Sequence, residues 1–182
     1  GWAINNDGTA EFNDIVARGS VITNDGGIVS SGGTGKNLFI NSSIFGSSAK
    51  PFTIKSNSID NWRLVFNNRH VYSTHQFKKG EVFTIQGKSN KPWSSKHGGS
   101  STNKGTVGYW LYYSASLNDA MNGIAKYFVF ILGDDKNQNF TKTISYPYED
   151  AQYLSFRFNT YSDGTQEYEY KLWDVKLELG DV

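Results

Sequence analysis

Hydrophobic and polar positions alternate with a period of two over much of the chain. In "YLSFRFNTY", Leu154, Phe156 and Phe158 fall on one side, and Tyr153, Ser155, Arg157, Asn159 and Tyr161 on the other. Successive side chains of an extended backbone point to opposite faces, so this is a half-buried strand with a polar, aromatic outer row. In "TVGYWLYYS", Trp110 and Tyr112 share one side, and Tyr109, Leu111 and Tyr113 the other. The leucine marks that second side as the core side. "KYFVFILG" is apolar on both sides and reads as a central strand. Further strands are expected at "LFINSSIF", "PFTIKS", "WRLVF", "HVYSTHQF", "EVFTIQGKS" and "NFTKTISY". Turns such as Lys79-Gly80, "DDKNQN" and "SDGT" separate them. "SLNDAMNG" reads as a short helical or turn insertion, and "KPWSSKHGGSSTNKG" as a long polar loop holding one tryptophan.

The last strand, "QEYEYKLWDVKLELG", changes phase. Tyr168, Tyr170 and Leu172 share a face, and the apolar set then moves to Trp173, Val175, Leu177 and Leu179. A β-bulge near Leu172–Trp173 would produce that slip. Short strands at regular spacing predict an all-β chain, a jelly-roll β-sandwich. The first 35 residues differ. "GWAINNDGTAEFNDIVARGSV" reads as two strands joined by the tight turn Asn6-Asp7-Gly8, and "NDGGIVSSGGTGK" as a flexible Gly/Ser connector. The expected division is a β-strand segment with its linker over 1–35 and the sandwich over 36–182. A lone strand pair is marginal in water, so something must cover it.

Composition narrows the classes. There are 182 residues, enough to bury a core without staples, and no cysteine, which removes disulfides and thiolate sites. With 18 basic and 17 acidic side chains, the net charge is +1. That balance gives no reason to expect nucleic acid as a partner. No apolar run reaches the roughly 20 residues of a membrane helix, so no membrane insertion is expected. The chain opens on glycine, as a fragment of a longer protein or a tag remnant would. Aromatic residues make up 15% of the chain, with 11 Tyr, 12 Phe and 5 Trp. Together with many Gly, Ser and Asn, they suggest a polar-aromatic recognition surface.

Three stretches carry a resemblance. Gly1, Trp2, Ile4, Asp7, Gly8, Ala10, Glu11, Phe12, Arg18 and Gly19 match a pattern in the tail-tip and tail-fibre (host-specificity) proteins of long-tailed bacteriophages. "KNLFINSSIFGS" and "WDVKLELGDV" resemble the first and last strands of carbohydrate-binding-module-like jelly rolls. The resemblance implies a virion protein acting at the host cell surface. It also implies a homo-oligomer, a trimer or similar, built through residues 1–35, with Phe12, Ile15 and Val21 in an intersubunit core. Modules of this kind often hold one structural Ca²⁺, to which Asp174 or Glu178 would contribute; no other cofactor is expected.

The candidate chemistry is binding. A sugar presents C–H faces and hydroxyls, so its site wants aromatic platforms beside amide and guanidinium groups. The outward row Tyr153, Arg157, Asn159 and Tyr161 fits, as do Trp110 and Tyr112. Trp93, in its polar loop, and Arg69 and His70, in another, complete the expected glycan-binding set; Trp2, Trp62 and Trp173 read as structural. Catalysis is not expected. The carboxylates sit in turn-like or solvated contexts, with no evident acid pair, and no nucleophile elbow, Walker loop or zinc-protease motif occurs. The expected function is attachment to a host surface glycan. The rivals are a structural spacer, a binder of an outer-membrane protein, and a polysaccharide depolymerase.

Overall fold

The computed structural model describes residues 2–4, 10–12, 37–40, 42–63, 71–98 and 104–180; of 2–4, 10–12 and 60–63 it describes the strand pairing alone. The chain divides into two compact units, Gly1–Gly35 and Lys36–Val182. In the first, β1 (Trp2–Ile4) pairs antiparallel with β2 (Ala10–Phe12), Trp2 opposite Phe12 and Ile4 opposite Ala10. The expected turn at Asn6-Asp7-Gly8, the apolar Ile15 and Val21, and the Gly/Ser connector lie outside the described residues.

The second unit is built from β3 (Phe39–Ile40), β4 (Gly46–Ser47), β5 (Lys50–Ser56), β6 (Asp60–Arg63), β7 (Val71–Ser73), β8 (Val82–Ser89) and β9 (Thr106–Ser114), then the helix α1 (Leu117–Asn122), β10 (Tyr127–Ile131), β11 (Asn139–Ser145), β12 (Tyr153–Tyr161) and β13 (Tyr168–Leu179). One sheet runs β10-β9-β12-β7-β3, with β6 also paired to β12. The other runs β11-β8-β13-β5-β4. From β7 onward the chain crosses between the sheets at almost every step, which is the interleaved order of a jelly-roll sandwich.

The alternation in β9 and β12 sorts the core as the sequence predicts. Tyr109, Leu111, Tyr113, Leu154, Phe156 and Phe158 are all buried between the sheets. Rings dominate this core and mostly meet edge-on or tilted, Tyr109 lying 4.6 Å from Phe140 and 4.9 Å from Phe156 between centroids, while Phe77 and Tyr146 stack at 4.7 Å. Such pairs contribute about 0.5–1.5 kcal/mol each beyond their area. Two of the buried phenols find acceptors, Tyr146 Oη donating to the Ala151 carbonyl and Tyr170 Oη to that of Tyr161, both at 2.5 Å. Burial pushes the ionisation of Tyr113, Tyr146 and Tyr170 well above the usual phenol range, so these rings stay neutral.

The bulge in the last strand is present. Trp173 opposes Lys88 and Lys176 opposes Gln86, so Asp174 and Val175 together face Gly87. Asp174 takes a left-handed φ of 52° there. The extra residue returns Val175 and Leu177 to the core after Tyr170 and Leu172. Asn37 holds the strand beyond the bulge: its Nδ2 donates to the Val175 carbonyl, and its Oδ1 accepts from Leu177 N.

Two expectations are corrected. "KYFVFILG" forms β10, an edge strand and not a central one. It is apolar on both sides because Ile131 enters the core while Phe128 and Phe130 lie against rings on the outer face. Trp93 is not a surface residue of its loop. The loop returns along β9, with Ser94 N bonded to the Val107 carbonyl, and drives the indole inside, where it is 2% exposed. There it packs on Tyr109 and Phe140 and donates Nε1–H to the Gln138 carbonyl. Gly133 makes room for it: a Cβ on Gly133 would stand 2.5 Å from that of Trp93.

Trp93→Ala should therefore cost about 3–5 kcal/mol in urea unfolding, whereas Phe128→Ala, at a ring 62% exposed, should cost less than about 1 kcal/mol. Acid should also weaken the fold. In the β12–β13 turn, the Thr165 hydroxyl and amide and the Lys104 ammonium hold the Asp163 carboxyl well below the usual carboxylate range. A depressed folded value stabilises above the unfolded value, about 3.9, and is lost as pH falls through the folded one. The melting temperature should drop as pH goes from about 5 to about 2, and Asp163→Asn should flatten that acid limb.

Candidate functional site

The antiparallel register of β9 and β12 assembles the outer face of the larger sheet. Trp110 lies opposite Arg157 on one side and Phe130 on the other. Tyr112 lies opposite Ser155 and Phe128, and Ser155 in turn opposes Tyr72 of β7. Two rows therefore cross the sheet, Phe130–Trp110–Arg157 and Phe128–Tyr112–Ser155–Tyr72. The Arg157 guanidinium lies over both central rings, 5.2 Å from the Tyr112 centroid and 5.8 Å from that of Trp110. Around Trp110 stand His97, Phe130 and Phe128, at 4.7, 5.4 and 5.5 Å between centroids. Each cation–ring contact contributes about 0.5–1 kcal/mol where partly exposed, and more when desolvated. Partial burial raises the ionisation of the Tyr112 phenol; the neighbouring Arg157 charge opposes that rise without cancelling it.

Close approach of two rings depends on one glycine. A Cβ on Gly108 would stand 2.6 Å from the Tyr161 ring and 2.7 Å from that of Phe130. Bare backbone at this position lets both rings lie over β9. Two donors in the floor have no hydrogen-bond partner among the described residues: the Trp110 indole Nε1–H and the fully buried Ser155 hydroxyl.

The structure brings Trp110, Tyr112 and Arg157 together, as the alternation predicts. Tyr153 shares their face at the far end, half-buried opposite Ser114. Asn159 and Tyr161 also share it, but both are fully buried and belong to its floor, not to an open contact surface. Asn159 faces Gly108 and is flanked along its strand by Arg157 and Tyr161. Trp93 is removed from the set, since it lies on the core side. Arg69 and His70 lie outside the described residues. The sequence reading missed Phe128, Phe130, His97, Tyr72 and Gly108. The isolated glycine in a strand pattern signalled a close approach, and the alternating phenylalanines of "KYFVFILG" held a second ring row that the central-strand assignment concealed.

Asp174 and Glu178 each have a partner of their own. Asp174 accepts from Lys88 Nζ at 3.0 Å, and Glu178 accepts from the Gln86 amide at 2.8 Å. Glu178 opposes Thr84, four residues from Lys88 along β8, about 13 Å. No cluster of three or more metal-ligating side chains occurs among the described residues.

Two cavities open elsewhere on the sandwich, the second reaching Phe130. One, of about 240 Å³, sits at the bulge between Lys88, Asn139, Thr141 and Lys176. The other, of about 420 Å³, is an apolar cleft between the edge strands β10 and β11, lined by Val129, Ile131, Leu132 and Ile144. The outer face differs from both in carrying a guanidinium over its rings. No model of a known protein family matches the chain, and a search of curated proteins returns no match. Function is therefore inferred from the chemistry of the face.

Gly108→Ala should displace the Tyr161 and Phe130 rings, altering the near-ultraviolet circular dichroism and costing about 1–3 kcal/mol. An unchanged aromatic spectrum would contradict the packing described.

Proposed function

We propose that residues 36–182 form a glycan-binding module of a bacteriophage tail tip or fibre, attaching the virion to the host cell surface. The observation that carries this is the Arg157 guanidinium held over Trp110 and Tyr112 beside Phe128 and Phe130. Rings offer flat apolar area to the C–H face of a sugar, and a guanidinium is a hydrogen-bond donor group that suits its oxygens. The phage setting rests on the resemblance of the N-terminal segment, as does a homo-oligomer, a trimer, formed through residues 1–35. The short β1–β2 pair suits that role, because three-residue strands are too short to be stable alone. Individual contacts are weak, and joining several faces in one assembly raises avidity by a typical factor of 10²–10⁴ without new contacts.

The test is a dense panel of bacterial surface glycans probed with the purified chain. A signal competed by free sugar is expected, and the Trp110→Ala/Arg157→Ala double variant should lose it at least about ten-fold while keeping the fold. Undiminished binding by that variant would refute the placement. Silence across the panel, from folded and oligomeric protein, would favour a spacer or a protein-receptor binder. Release of reducing ends from polysaccharide would favour a depolymerase.

A further inference from the structure

The cleft between β10 and β11 holds a cation where the alternation calls for an apolar side chain. In β11, Phe140 is buried in the core and Ile144 packs against it, so Lys142 between them shares the core-facing side, opposite the buried Ile85. Lys142 is itself exposed at the open edge, and no hydrogen bond or ion pair engages it among the described residues. The strands around it offer no carboxylate: β8, β10 and β11 contain no Asp or Glu. Acids of the flanking loops have partners. Asp134 accepts from Lys136 N and the Asn137 amide, Asp135 from Ser95, and Glu149 from Lys79. We propose that this cleft holds the acyl chain of an anionic amphiphile, whose carboxylate pairs with Lys142.

Spaces of opposite character meet at this lysine. On one side is the apolar cleft of about 420 Å³, with Val129, Ile131, Leu132 and Ile144 in its walls. On the other is a smaller hollow of about 180 Å³, with Asn137, Asn139 and Thr141 in its walls, and it shares Leu132 and Lys142 with the cleft. From Lys142 the cleft continues past Ile144 to Tyr148, whose ring stacks on Tyr127 at 4.0 Å and meets Tyr113 edge-on at 4.9 Å. Lys142 and Ser145 are three residues apart along β11, about 10 Å, a span that a medium-length acyl chain covers. Such a chain would cover Val129 and Leu132, which are 38% and 54% exposed. Each methylene taken out of water adds to its affinity. The ammonium at the mouth attracts a carboxylate and repels a cation. Apolar walls with a few placed polar groups are the usual lining of a small-molecule site, and the volume falls in the usual range. A charge on the core-facing side of an edge strand can also keep a foreign strand away, and the test separates the two roles.

The full chain is titrated with hexanoate, octanoate and decanoate below their micelle concentrations, and followed by methyl and amide nuclear magnetic resonance. The methyls of Ile131, Leu132 and Ile144 should move saturably. Those of Val71 and Ile54, three strands away in their respective sheets, should stay in place. Affinity should rise by about three-fold or more for every two carbons added. Decanoate should bind about five-fold tighter than decanol, the upper end for an exposed ion pair, and decylammonium should bind more weakly than either. Lys142→Gln should bring decanoate to the level of decanol and leave decanol unchanged. Leu132→Asn, at an exposed position, should weaken both. Absence of saturable movement at these methyls, or equal binding of decanoate and decanol, would overturn the inference. Unchanged decanoate affinity in Lys142→Gln would also overturn it and leave the lysine as a guard of the β11 edge. Should that variant self-associate, the decanoate-to-decanol ratio of the unmodified protein decides alone. A short Thr/Val peptide that shifts the β10 amides where decanoate shifts nothing would overturn the inference in favour of strand addition at that edge.

Discussion

The nine-residue antiparallel pairing of β9 with β12 is the constraint on which the rest depends. It sets Tyr109 opposite Phe158 and Leu111 opposite Phe156 on the core side. The same register sets Trp110 opposite Arg157 and Tyr112 opposite Ser155 on the outer side. Because side chains alternate strictly, a slip of one residue would exchange the two sets. The hydrophobic demand for Leu111, Leu154 and Phe156 inside therefore fixes the aromatic, cationic set outside. Stability and the candidate site are two faces of one register.

The remaining devices serve that arrangement by adjusting space. Gly108 leaves bare backbone where the Tyr161 and Phe130 rings meet. Gly133 does the same for Trp93, whose indole closes the core beside Tyr109 and Phe140. At the bulge, Asp174 absorbs one extra residue so that β13 can bury Leu172 before it and Val175 and Leu177 after it. Asn37 then replaces a strand neighbour, using its side-chain amide as a peptide group would be used.

Much of this was legible in the chain because period-two alternation reports on a single strand. The core side of β12, the shared face of Trp110 and Tyr112, and the bulge in β13 all follow from local pattern. What pattern cannot report is which strand lies beside which. "KYFVFILG" satisfies the pattern of a central strand, yet its second apolar face belongs to the site, so Phe128 and Phe130 escaped notice. Trp93 sits among serines, lysine and glycine, and local polarity pointed outward; the hydrogen bonds of its loop to Val107, far along the chain, turned it inward. Asn159 and Tyr161 face the predicted way, but burial depends on neighbours from other segments. The Ca²⁺ expectation for Asp174 or Glu178 rests on the resemblance and not on any local pattern, and each of the two carboxylates has its own partner.

Side-chain nuclear magnetic resonance of the indole N–H groups tests the functional placement most directly. The protein holds five tryptophans, and two of them sit on opposite sides of the same sheet: Trp110 on the outer face and Trp93 against the core side of Tyr109. Titration with the glycan that binds should move the Trp110 resonance in a saturable way and leave those of Trp93 and Trp173 in place. Saturable movement at Trp93 or Trp173, with Trp110 unmoved, would place the binding surface elsewhere on the sandwich and contradict the assignment.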